Sequence, residues 1–311
     1  VLFSYLNVGW VKTNLLCFTS PGLVGQSEWS QYFPDCAGTS QSPVDVVTTQ
    51  TKYDPNLTPL TPLGYSQHGN KPFTMYNSGH TVVIELPEWM GIGGLPWLFT
   101  AVQMHLHWGS GGPSHGGANE QTNQCSWSLQ LHVVHYNSEL YPNVSTAMTQ
   151  SDGLAVLGIL IVCNFFTNFT CKLYLHVVYI SYSHPPADQK VFIPAFDVQT
   201  LLPTDLGRYY RYNGSLTTPP CYQSVTWTVF NERVQISKAQ LLKLETILYS
   251  SKAKDADRML LQDNYRATQP INHRVAFASF SAGEVTAIVI GVMCGCVGLA
   301  VIVRFIVKTI R

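Results

Sequence analysis

His105 and His107 stand two residues apart in the run Gln103-Met104-His105-Leu106-His107-Trp108, which reads as a β-strand. Alternate side chains of a strand share one face, so the two imidazoles point the same way and Gln103 points with them. A second run, Gln130-Leu131-His132-Val133-Val134-His135, puts His132 on the same face of its own strand as Gln130 and Val134. Two imidazoles from one strand and a third from a neighbour compose an open three-histidine zinc site. Three protein ligands leave the fourth tetrahedral position to a water, the arrangement of a catalytic rather than a structural zinc. Zinc brings the pKa of such a water into the neutral range. A His-x-His pair on a strand is also common without metal, and a jelly-roll metal site shows similar spacing. The surrounding sequence has to decide.

That surrounding sequence resembles the alpha-class carbonic anhydrases. The matching pieces run in family order: Gln41-Ser42-Pro43-Val44-Asp45, Asn77-Ser78-Gly79-His80, His105-Leu106-His107-Trp108-Gly109 and Leu131-His132-Val133-Val134-His135-Tyr136-Asn137. They continue with Gly153-Leu154-Ala155-Val156-Leu157-Gly158 and Tyr212-Asn213-Gly214-Ser215-Leu216-Thr217-Thr218-Pro219-Pro220-Cys221. Val225-Thr226-Trp227 and Asn264-Tyr265-Arg266 complete the series, so the resemblance covers residues 25–280. Within the family the chain most resembles the single-pass extracellular isozymes, isozyme fourteen above all.

The resemblance implies zinc-dependent, reversible hydration of carbon dioxide to bicarbonate and a proton, with His105, His107 and His132 as ligands. Gln103 would accept from the outer N–H of His105, and the backbone carbonyl of Asn264 from that of His107, because ligand orientation needs such partners. For His132 the family supplies a glutamate where this chain has Gln130, a weaker acceptor. Thr217 is implied as the residue that accepts a hydrogen bond from the zinc-bound hydroxide while donating its own proton to a buried glutamate. That position is Asn119 here, with Glu120 beside it. Val134, Val156, Leu216 and Trp227 would form a dry wall for carbon dioxide beside Thr217 and Thr218. His80 matches the family's proton shuttle, since imidazole titrates near neutrality. The family's aromatic N-terminal segment is not recognisable here. The resemblance also pairs Cys36 with Cys221.

Composition bounds the alternatives. Net charge is zero and Lys and Arg are scattered without a basic stripe, which argues against nucleic-acid binding. Residues 285–303 are apolar and uncharged, long enough to cross a ~30 Å hydrocarbon core. Arg304, Lys308 and Arg311 follow them, so the positive-inside rule puts the C-terminus in the cytosol and the large domain outside. The expected plan is therefore an uncertain segment 1–24, an extracellular domain 25–281, a linker 282–284, a transmembrane helix 285–307 and a cytoplasmic stub 308–311. Val1 is not an initiator, so the chain reads as a fragment or a processed product. Gly291 and Gly295 form a small-xxx-small pair that could pack two such helices into a weak dimer. Sequons at Asn56, Asn143, Asn168 and Asn213 agree with secretion. Cys125, Cys163 and Cys171 read as buried thiols, with a Cys163–Cys171 link as the other option.

Strand-like runs at 80–86, 101–108, 126–136, 154–162 and 225–230, separated by Gly, Pro and Asn, dominate the chain, and 174–182 also reads as strand. One helix follows Ser237 as N-cap, with Leu241, Leu242, Leu244, Ile247 and Leu248 at helical spacing. The pattern is a β-rich α+β domain. The resemblance sharpens it to a large twisted, mainly antiparallel sheet with peripheral helices and a central cleft. Two rivals to the enzyme are a catalytically silent cell-surface recognition domain, suggested by Asn119 and Gln130, and a generic zinc hydrolase. The hydrolase lacks an H-E-x-x-H motif.

Overall fold

The computed structural model describes residues 25–66, 71–109, 125–164, 190–250 and 259–281, with short pieces at 283, 295–299, 302–304 and 307. Thirteen strands form one sheet among them. In chain order they are β1 (Lys52–Tyr53), β2 (Thr61–Leu63), β3 (Phe73–Asn77), β4 (Val82–Glu85), β5 (Gly91–Gly93) and β6 (Phe99–His107). There follow β7 (Cys125–Asn137), β8 (Leu154–Asn164), β9 (Lys190–Ile193), β10 (Tyr209–Gly214), β11 (Val225–Phe230), β12 (Val234–Ser237) and β13 (Phe277–Ala278). The main path runs β1-β13-β10-β11-β8-β7-β6-β4-β3-β9, with β12 beside β8 and the β2–β5 pair beside β6. Pairing is antiparallel except where β1 meets β13 and where β8 meets β11 and β12.

Period-two alternation gives each long strand two fates. Met104, Leu106, Leu131, Val133, Leu157 and Ile159 point into the larger core. Their neighbours Val134, Leu154 and Val156 point to the opposite face, where a second cluster includes Tyr212 and Trp227. Among the described residues the α-helices are short: α1 (Trp29–Tyr32), α2 (Val144–Ala147) and α3 (Lys238–Ile247). Ser237 caps α3 as its sequence indicates, its hydroxyl accepting from Gln240 N while Gln240 Oε1 accepts from Ser237 N at 2.9 Å.

Residues 1–24, 174–182, Asn119, Glu120, Asn168 and Cys171 lie outside the described residues, as does most of 285–303. Among the described residues no helix is long and apolar enough to cross a membrane. Cys36 and Cys221 are disulfide-bonded across 185 residues of sequence. Cys125 and Cys163 stand opposite each other in register across β7 and β8.

His135 faces away from His132 and is fully buried. Tyr65 Oη donates to its Nε2 at 2.6 Å, and its Nδ1 donates to the Ala155 carbonyl at 3.2 Å, so the ring is held neutral. Burial pushes its pKa down from 6.5 to about 4. The unfolded chain then binds the proton that the folded chain refuses, so this contribution is complete above the unfolded pKa and is lost as pH falls from 6.5 towards 4. The expected loss from this residue is about 2 kcal/mol between roughly pH 7.5 and pH 5. Urea midpoints of the zinc-loaded wild type and a His135→Gln variant should converge as pH falls; a constant gap would remove His135 from this role.

Candidate metal centre

The register of β6 against β7 brings the three histidines together. His105 stands opposite His132, and His107 opposite Gln130, so all four side chains rise from the same face. Ring centroids of His105, His107 and His132 are 4.5–5.2 Å apart. One ligand atom from each lies within 4.8 Å of the others. Burial holds all three imidazoles below their ordinary pKa, which keeps the metal-binding lone pairs free of protons.

The orientation of His107 is fixed by its outer nitrogen. Nδ1 donates to the Asn264 carbonyl at 2.7 Å, leaving Nε2 as the acceptor, and that Nε2 is buried with no hydrogen-bond partner. A buried imidazole nitrogen without a partner is costly unless a cation takes it. Three converging neutral imidazoles with an open fourth position fit Zn²⁺ in particular.

The supporting shell is less complete. Gln103 lines the cleft beside His105, but its Oε1 is buried without a partner, so the expected bond from His105 is not made in this structure. Gln130 sits two residues from His132 on the same face.

The histidines form the floor of an open cleft. Val134, Val156, Leu216 and Trp227 line it, and Trp227 meets the His132 ring edge-on at 4.9 Å. Thr217 and Thr218 line it from the loop after β10. That loop is clamped by segment 36–42: besides the disulfide, Ser42 and Ser215 exchange hydrogen bonds at 2.9 and 3.0 Å, and Gln41 Nε2 donates to the Cys221 carbonyl. His80 lines the same cleft on the turn before β4, half-buried. Sequence reasoning missed Tyr76, Thr81 and Val83 as further lining residues. Register could have found Val83, since it lies directly opposite His105. Of the sequons, Asn56 and Asn213 are exposed, and the Asn143 side chain caps α2 by accepting from Thr146 N.

A large, mainly antiparallel sheet with a converging three-histidine group in its cleft has the donor set of an open metal site. The profile of the eukaryotic-type carbonic anhydrases matches residues 24–280, and the chain belongs to that family. Carbonic anhydrase 12 of Homo sapiens is 42% identical over 261 residues, which span 84% of this chain and 72% of that protein. Carbonic anhydrase 6 of Homo sapiens is 36% identical over 86% of this chain and 84% of its own length. The bovine carbonic anhydrase 6 (Bos taurus) is 37% identical over 84% and 79%. The chain is therefore a carbonic anhydrase, of a family that acts on carbon dioxide and bicarbonate and depends on zinc. The finer likeness to isozyme fourteen finds no support in these relatives, which carry the numbers 12 and 6.

Proposed function

We propose that this chain reversibly hydrates carbon dioxide to bicarbonate and a proton at a zinc ion held by His105, His107 and His132. The observation that carries this reading is the convergence of three neutral imidazoles, two of them buried and one with a partnerless Nε2, in an open cleft. Zinc held there supplies a Lewis acid that lowers the pKa of a bound water to about 7, a magnitude for which this family is itself the usual example. The chain's residues do the rest. Val134, Val156, Leu216 and Trp227 offer carbon dioxide a surface with few competing hydrogen bonds. Thr217 Oγ1 orients the attacking oxygen by accepting its proton in a hydrogen bond, and Thr218 binds substrate beside it. His80 takes up the released proton on its ring and passes it to buffer at the mouth of the cleft.

The catalytic unit in this reading is 25–281, facing the extracellular side, with residues 285–307 as its membrane anchor. The Cys36–Cys221 disulfide supports an oxidising compartment, and the apolar run followed by Arg304, Lys308 and Arg311 supports the anchor. Glycans at the sequons, a dimer through Gly291 and Gly295, and a part in pH regulation at the cell surface belong to the same proposal. No observation favours a silent recognition domain.

Stopped-flow carbon dioxide hydration by the zinc-loaded chain tests the reading. A rate that a sulfonamide zinc binder abolishes, with one zinc per chain, is the expected result; one bound zinc and no rate above buffer would sink it. Gln130→Glu should restore a full carboxylate acceptor for His132 and tighten zinc binding by about tenfold. Competition against a chromogenic chelator measures this, and unchanged affinity would mean that Gln130 does not support that ligand.

A further inference from the structure

Asn264 is nearly fully buried, 1% exposed, and every polar atom it carries is engaged. Its carbonyl takes the His107 Nδ1 proton at 2.7 Å, and its backbone N–H donates to the Trp108 carbonyl at 3.3 Å. Its side chain reaches in two directions. Oδ1 accepts from Trp108 N at 2.7 Å, while Nδ2 donates to the Leu106 carbonyl at 3.3 Å and to the His80 carbonyl at 2.9 Å. One residue therefore joins the end of β6, which carries the metal ligands, to the turn that carries His80.

That turn has its own internal order. Gly79 adopts φ +81° and donates to Asn77 Oδ1 at 2.8 Å, and Ser78 Oγ accepts from the backbone N–H groups of His80 and Thr81. These bonds shape the turn but lie within it. Two groups tie it to β6: Thr81, whose hydroxyl bonds the backbone of Leu106, and Asn264, which holds His80 itself. A carboxamide suits the task because it offers two donors and an acceptor on one short, planar group. Aspartate of the same shape would turn an oxygen towards two carbonyls.

We infer that the Asn264 side chain is a positioning residue for proton export, fixing the His80 main chain relative to the metal strand, while its backbone carbonyl separately orients His107. This rests on the proposed role of His80. Two functions are then divided between main chain and side chain of a single residue, so a side-chain substitution separates them.

The test is Asn264→Ser, with His80→Ala and the double variant, in the full chain. Asn264→Ser is expected to lower kcat about tenfold in weak buffer, the scale on which small misplacements of catalytic groups act. Added imidazole should restore it, while kcat/KM and zinc affinity stay within about threefold because the His107 contact is a backbone one. The effect on kcat should vanish in the His80→Ala background. The ¹³C shift of the His80 carbonyl should move, and the ¹⁵N shifts of the His107 ring should not. A kcat equal to wild type, or a parallel fall of kcat, kcat/KM and zinc affinity, would overturn the inference. His80→Ala with unchanged kcat and no response to imidazole would instead overturn the role of His80. If Asn264→Ser does not fold, the wild-type Asn264 side-chain amide protons decide: protection from solvent exchange supports the bond, and free exchange overturns it.

Discussion

Replacing His132 with alanine is expected to reduce carbon dioxide hydration to the buffer blank. It should also weaken zinc by more than the ~10–100-fold that loss of an outer-shell partner costs. His132 is one of the three converging histidines and comes from β7, whereas His105 and His107 share β6. Without it the site has two imidazoles on one edge and no opposing donor, which cannot close a tetrahedron around zinc. The empty site should still fold, because the pairing of β6 with β7 extends well beyond the histidine row. Competition titration for zinc, with far-ultraviolet circular dichroism as the folding control, measures both halves. Tight zinc binding by the folded variant would mean that the metal lies elsewhere.

Removal of the disulfide by a paired Cys36→Ala, Cys221→Ala substitution should cost about 3–5 kcal/mol and lower Tm by about 10 °C. The bond closes a span of 185 residues, so much of its effect lies in restricting the unfolded chain. It also works beside a set of buried polar contacts. Arg266, 7% exposed, donates from Nη1 to Gln41 Oε1 and the Ser42 carbonyl and from Nη2 to the Cys36 carbonyl. Those contacts anchor the segment to Arg266, while the Ser42–Ser215 and Gln41–Cys221 hydrogen bonds hold it against the loop bearing Thr217 and Thr218. Activity measured below the new Tm should therefore fall less than stability does. Equal melting of wild type and variant would assign the clamp to the hydrogen bonds alone.

The metal triad was legible because a strand writes its faces into sequence as simple alternation, and His105, His107 and His132 obey it. The same alternation exposed the long central strands and, with the Ser237 capping box, the helix α3. What alternation does not encode is partnership. β9 and β3 are short, and nothing local announces that Lys190 faces Tyr76. Two-residue strands such as β1 and β13 carry no period at all; β13 forms because β10 offers it an edge, and β1 because β13 then offers one in turn. The Asn264 contacts join groups more than 150 residues apart, a distance over which spacing carries no information. Gln103 shows the complementary failure: its face was readable, yet its oxygen makes no bond, because face does not fix rotamer.

The order of the cysteines along the chain has a consequence for synthesis. Cys36 emerges 185 residues ahead of Cys221, which at about 5–20 residues per second is on the order of 10–40 s. Cys125, Cys163 and Cys171 emerge in that interval, before the native partner of Cys36 exists. The chain must therefore hold an early thiol open, or form a wrong bond and later exchange it. Its yield of active enzyme then depends on disulfide isomerisation as much as on the stability of the finished sheet.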